Sequence, residues 1–201
     1  RSHYATGLEE GKKYVLHEDL APAGLNLAND IEFEVTYDKE NQTVKMVDTK
    51  NEVTKTDEKG NLLKGAELTV TSKKTKNIID KWITGEHIFD VTDEMKSQLS
   101  KEGKVEGTYM DDEDSMVTFS IAKNKDKDDY TLMFVKDGET TYTNIDINGD
   151  ETTHMIQGLV SGEEYVLRET KTPKGYATFK EQTFKANDEN NNLMNMTDED
   201  T

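Results

Sequence analysis

From residue 53 onward the chain alternates apolar and polar side chains in short runs. Residues 53–57 make the first candidate strand, closed by the turn Glu58-Lys59-Gly60-Asn61. Residues 67–72 alternate, with Leu68 and Val70 on one face, and residues 78–83 and 87–91 follow as further short strands. Period-two alternation recurs at 116–121, 130–135 and 140–147. Asp137-Gly138 separates two of these runs, and Asn148-Gly149 ends the next, both strong hairpin signals. Residues 165–169, 177–185 and 193–198 supply the last strands. One stretch has helical spacing. Residues 93–101 carry Met95 and Leu99 four apart, with Thr92 or Asp93 as N-cap and Gly103 as the stop. Many short strands with frequent turns predict an all-β antiparallel sandwich with one short helix.

The pattern is partly duplicated. Residues 3–50 and 154–201 align along their length: Gly7 with Gly158, Glu18 with Glu169, Pro22 with Pro173 and Asp48 with Asp198. Gly158 lies 151 residues after Gly7, so the repeat unit is about as long as an ordinary domain. Residues 51–201 then read as a complete unit, and residues 1–50 as the C-terminal part of a preceding, incomplete one. Repetition on this scale predicts a modular array. Both prolines follow the glutamate-bearing strand, where a missing N–H marks a strand end.

Charge narrows the partners. The 201 residues carry a formal charge of −17, with 42 acidic and 25 basic side chains. Nucleic acid and anionic membranes both favour a basic face, so neither is expected as a partner. No apolar run approaches the ~20 residues a membrane helix requires. The chain has no cysteine, which removes disulfides, thiolate metal sites and a cysteine nucleophile together.

Three motifs carry a family resemblance. The first is Val53-Thr54-Lys55-Thr56-Asp57, with Gly60 and Gly65-Ala66 following. The second is Tyr165-Val166-Leu167-Arg168-Glu169-Thr170, with Pro173 and Gly175-Tyr176. The third is Met194-Asn195-Met196-Thr197-Asp198. Taken in this order, they resemble the collagen-adhesin B-type domain of Gram-positive surface proteins and pilins, also described as prealbumin-like or SpaA-type. The second and third motifs recur in residues 1–50. Residues 86–150 resemble the family poorly and read as an insertion in the 51–201 unit.

The resemblance implies an immunoglobulin-like or prealbumin-like sandwich and an internal amide bond. By position, Lys55 is the nucleophile, Asp198 the acceptor and Glu169 the catalytic proton shuttle. Glu18 and Asp48 are the equivalents of the latter two in the partial repeat. The chemistry is coherent. An amine attacks only when neutral, and a carboxyl is electrophilic only when protonated; an apolar core favours both forms. A second carboxyl can relay the proton between them. Parity supports Asp198, which shares a strand face with Met194 and Met196. Asn195 is the rival acceptor, but it lies on the opposite face and would need a bulge to turn inward. The blander alternatives are an exposed strand lysine, an exposed strand glutamate and an aspartate in an acidic tail.

Other constellations are weaker. Asn144, Asp146, Asn148 and Gly149 match the start of a calcium loop, but Met155 stands where its last ligand belongs, so a hairpin turn is expected. The run Asp111-Asp112-Glu113-Asp114 reads as a solvated loop. The four histidines have no metal-ligand spacing, and no metal or cofactor is expected. Trp82 is expected in the core. Tyr109, Tyr130 and Tyr142 are candidates for a sugar-binding surface, set against ordinary strand packing.

Two functions follow from the resemblance. One is a structural stalk module of a cell-wall-anchored adhesin or pilus, rigidified by its Lys55–Asp198 cross-link and partnered by neighbouring repeats. The other is a ligand-binding adhesin domain whose 86–150 insertion contacts a host extracellular protein or glycan. Either places the chain outside the cell, with leader and anchor beyond these residues. Neither is an enzyme with turnover, since the amide forms once.

Overall fold

The computed structural model describes residues 3–21, 25–36, 42, 44, 50–125, 127–186 and 193–201. A small hairpin comes first: β1 (Lys13–Leu16) pairs antiparallel with β2 (Ile31–Glu34). The remainder is a two-sheet sandwich. Its strands are β3 (Glu52–Asp57), β4 (Glu67–Ser72), β5 (Ile78–Ile83), β6 (Lys104–Met110), β7 (Met116–Lys123), β8 (Tyr130–Lys136), β9 (Glu139–Ile145), β10 (Glu151–Met155), β11 (Glu164–Lys171), β12 (Gln182–Lys185) and β13 (Leu193–Asp198). One sheet has the order β13-β3-β10-β9-β8-β7-β6, and the other β12-β11-β4-β5.

The larger sheet departs from the antiparallel expectation at one place. Its first and last strands in sequence, β3 and β13, run parallel along six paired positions, with Lys55 opposite Met196. The meander β6 to β9 continues this sheet past β10, so residues 86–150 widen the sandwich and do not hang from it as a separate lobe.

Two apolar clusters fill the interior. Val53, Leu68, Val70, Leu167, Phe184, Met194 and Met196 meet between the two sheets. Phe89, Leu99, Val105, Phe119, Ile121, Leu132 and Ile145 form a second core, closed by the helix α1 (Asp93–Glu102). The helix begins where Thr92 accepts a hydrogen bond from the Met95 N–H. It ends at Gly103, whose left-handed backbone sends its N–H to the Leu99 carbonyl at 2.9 Å. Leu99 is its one buried residue, the anchor to β6 and β7.

Several sequence expectations need correction. Residues 87–91 form no strand: they cross over the Asn148-Gly149 turn, where Ile88 donates to the Gly149 carbonyl at 2.8 Å. Of residues 177–185, only β12 is strand. Strands β6 and β10 escape the alternation pattern. β6 has Gly107 at its centre because the Phe119 ring lies where a side chain would stand. β10 turns polar Glu151 and Thr153 inward, so its buried positions do not look apolar. The Asp137-Gly138 hairpin forms as expected, with both residues at positive φ.

Candidate functional site

Three strands carry inward-facing chemistry to one place. On β3, Val53 and Lys55 face the core; on β13, Met194, Met196 and Asp198 do, while Asn195 and Thr197 are exposed. Both strands lie in the larger sheet. On β11, across the sandwich, Tyr165, Leu167 and Glu169 face inward. Period-two geometry thus points Lys55, Asp198 and Glu169 into one volume, and Asn195 away from it. The Lys55 Nζ lies 2.8 Å from Glu169 Oε2 and in hydrogen-bond contact with Asp198 Oδ1. All three side chains are at most 1% exposed.

The surroundings treat the two carboxyls differently. Burial works to raise the pKa of Glu169, but the Lys55 ammonium, the Phe179 N–H and the Thr172 hydroxyl outweigh it, so it is held below its usual range. The Phe179 and Thr172 donors both reach Oε1, at 3.0 and 2.9 Å. Burial and hydrogen bonding to Glu169 push Asp198 up, against the opposing pull of Lys55. Asp198 Oδ2 is buried with no hydrogen-bond donor facing it. A proton on Asp198, shared with Glu169, satisfies that atom. The arrangement therefore holds one carboxyl below and the other above its ordinary range, with an amine against both. The Phe179 ring, 5.1 Å from Nζ, closes the site on one side.

In the partial repeat, Asp48 and Pro22 lie outside the described residues. Glu18 is described, and it accepts a hydrogen bond from the Ala28 N–H at 2.8 Å. Glu169 accepts from Phe179, also ten residues onward, so this one contact recurs in both copies, although Glu169 is a buried residue of β11 and Glu18 lies beyond the end of β1, half-buried. That spacing was the available signal for Phe179, which sequence reasoning did not single out.

A second polar group, half-buried between the sheets, carries no signal in the sequence pattern. His154 on β10 contacts Asp80 on β5 at 2.8 Å and Glu151 at 3.0 Å, and its ring stacks on Trp82 at 3.9 Å. Trp82 is a core residue, as expected, but one that covers an ionisable ring. A small cavity lies between this group and Lys55.

The remaining candidates resolve into structure. Asp146 caps the Asn148-Gly149 turn by accepting from the N–H groups of Asn148 and Asp150. The acidic run is a largely exposed loop, with Lys136 bonding Asp111 at 2.7 Å and Glu113 at 3.1 Å. Among the described residues no group of three acidic or histidine side chains is placed to hold a metal. Tyr109 and Tyr130 pack toward the second core, while Tyr142 pairs with Met133 on the opposite sheet face, so the three share no surface. No helix among the described residues is long and apolar enough to cross a membrane.

Residues 103–200 match the SpaA family model, described as a prealbumin-like fold domain. The match takes in β6 to β13 and leaves out β3 with its lysine. No curated protein matches the chain. Among solved structures, the shaft pilin SpaA from Lactobacillus rhamnosus GG is 18% identical at a TM-score of 0.33, with 94% of this chain and 64% of that chain covered. A Streptococcal ancillary pilin is 16% identical at 0.31, covering 94% and 45%. The group B streptococcus pilus 2b backbone protein is 15% identical at 0.33, covering 92% and 52%. The chain spans less than two thirds of the length of each, and likenesses this distant transfer no residue's role.

Proposed function

We propose that the chain is a stalk module of a Gram-positive surface adhesin or pilus, rigidified by an amide bond between Lys55 and Asp198; the match of residues 103–200 to the SpaA prealbumin-like fold domain supports the module reading. In this reading residues 51–201 are one complete unit, widened by residues 86–150, and residues 1–50 belong to a neighbouring unit of the same type. The partners are adjacent repeats, and the setting is the cell surface.

The observation that carries the reading is the buried triad, with an amine held against two carboxyls, Glu169 kept below its ordinary range and Asp198 pushed above it. Glu169 takes a proton from the Lys55 ammonium. The free amine attacks Cγ of the protonated Asp198, forming the N–C bond. Glu169 passes a proton to the departing hydroxyl as the remaining N–H proton returns to it, and water leaves. The product is a secondary amide, one water and a protonated Glu169. The bond forms once, so nothing turns over.

Intact-mass measurement tests the proposal: condensation removes about 18 Da, whereas an Asn195 acceptor would release ammonia, about 17 Da. Glu169→Ala should fold at the full unmodified mass. A folded parent protein at its full mass would refute the amide. The alternative, a host-binding role for residues 86–150, has no comparable observation behind it, since the candidate tyrosines do not converge.

A further inference from the structure

Residues 25–29, in the connection between β1 and β2, touch the 51–201 unit through three side chains. The Asn26 side-chain amide donates to Asn51 Oδ1 at 2.7 Å, and the two asparagines are 3% and 1% exposed. Leu27 forms a parallel bridge with Val160. Asn29 stands beside Gly162, where a Cβ would lie 3.2 Å from the Asn29 Oδ1. The receiving residues belong to one pole of the sandwich. Asn51 immediately precedes β3, and its carbonyl accepts from the Ile156 N–H at 3.0 Å, just past the end of β10. Val160 and Gly162 lie in the turn that leads into β11.

The approaching segment comes from the opposite pole of its own unit. Its counterpart, 151 positions onward, is residues 176–180 in the connection between β11 and β12. There the Ala177 N–H donates to the Glu199 carbonyl at 2.8 Å, and Tyr176 bridges Asp200, so that connection lies where the chain leaves β13. The exit pole of one unit therefore sits on the entry pole of the next. Burial shows what the contact covers. Ala177 and Thr178 are exposed, whereas their counterparts Asn26 and Leu27 are buried and half-buried. The cover over Asn26 and Leu27 is thus supplied by the unit they meet.

We infer that these contacts form a fixed joint between successive units, held at one angle by the buried Asn26–Asn51 pair. Units joined only by a linker move relative to one another by default. A buried amide pair opposes that motion because it is directional. Rotating one unit breaks the Asn26–Asn51 bond while both amides are still shielded from water, and a shielded amide without a partner is costly. Leu27 on Val160 adds an apolar contact beside the pair. The entry pole accordingly recognises a connection that carries Asn followed by Leu. The complete unit's own exit connection, with Ala177 and Thr178 in those places, carries neither. The inference rests on residues 1–50 belonging to a neighbouring unit of the same type; it does not need the Lys55–Asp198 amide.

The chain has no cysteine, so a pair can be introduced for spin labels. Glu34→Cys on β2 and Thr183→Cys on β12 replace exposed residues, one in each unit. Double electron–electron resonance on the full chain then reads the distribution of distances between them. A single narrow population is expected. It should be lost with Asn26→Ala, and with Asn26→Ala combined with Leu27→Thr, which copies the side chains of the complete unit's exit connection. A broad distribution in the parent overturns the joint, as does a narrow one that both variants leave unchanged. Thermal unfolding followed by Trp82 emission should be the same in Asn26→Ala as in the parent, because Asn51 regains water once the joint opens. A lowered Trp82 transition would make residues 1–50 part of the 51–201 fold, and would overturn the two-unit reading and the joint with it. Intact mass reads the amide separately, so the amide and the joint fail independently.

Discussion

Replacing His154 asks whether the two sheets are held together by charge at a point distinct from Lys55. His154 stands on β10 in the larger sheet, and its Nε2 partner, Asp80, stands on β5 in the smaller one, 2.8 Å away. Burial favours the neutral ring, but Asp80 and Glu151 outweigh it and raise the pKa to about 9. A pKa raised by folding stabilises most below the unfolded value, about 6.5, and that contribution disappears as pH climbs through about 9. At 1.36 kcal/mol per unit, the contribution is about 3 kcal/mol. For a domain of this size, that is a Tm difference of about 6–12 °C. Trp82 is the chain's single tryptophan and stacks on the imidazole at 3.9 Å, so its emission reports the ring's charge. We expect wild-type emission to rise with a midpoint near 9, as the quenching cation is lost. In His154→Gln that transition should be absent. The Tm gap between the two proteins should be widest near pH 6 and should close above pH 9. An emission midpoint near 6.5, or a gap constant with pH, refutes the reasoning.

Two further outcomes follow from the same geometry. Lys55→Ala would remove the proposed cross-link between residues 55 and 198; loop-closure reasoning puts that loss on the order of 4–5 kcal/mol, read as a large fall in Tm and faster proteolysis. An unchanged Tm would contradict the proposed bond. Gly149→Ala should lower urea stability by about 2–3 kcal/mol, because φ there is +86° and a Cβ would lie 1.6 Å from the Phe89 carbonyl oxygen. A neutral Gly149→Ala would mean the 87–91 crossover can move away from the turn.

Much of the fold is legible in alternation because its core positions are apolar. β4, β7, β8 and β13 bury Leu68, Phe119, Leu132 and Met196, as a period-two reading places them. Alternation alone does not single out the triad: it places Lys55 and Asp198 on strand faces with Val53 and Met196, and the resemblance of the three motifs is what points to those residues. Legibility fails where polar residues are buried. β10 turns inward Glu151, which accepts a 2.7 Å bond from the Thr143 hydroxyl, and Thr153, whose carbonyl accepts from the same hydroxyl. Neither position signals a core strand. His154 is invisible for a related reason. Its partner Asp80 lies 74 residues away, and no local spacing encodes the contact. The tyrosine candidates fail differently, since residue type alone does not say which face of a sheet is solvent.

The parallel pairing of β3 with β13 bears most directly on the proposed stalk role. An antiparallel pair of first and last strands brings entry and exit to the same pole. A parallel pair puts them at opposite poles, so units joined end to end extend the array. Tension along such an array enters at Glu52 and leaves after Asp198, loading six paired positions in shear. Hydrogen bonds alone would share that load and then yield together. A Lys55–Asp198 amide changes the path. Force arriving along β3 passes at Lys55 directly into the end of β13, and residues 56–197 lie outside the loaded segment. The widened sheet, the helix and the second core then fall in that unloaded stretch, where they can vary without weakening the line of force. The position of the triad suits this path: Asp198 is the last residue of β13, so the bond leaves almost none of the exit strand to be peeled.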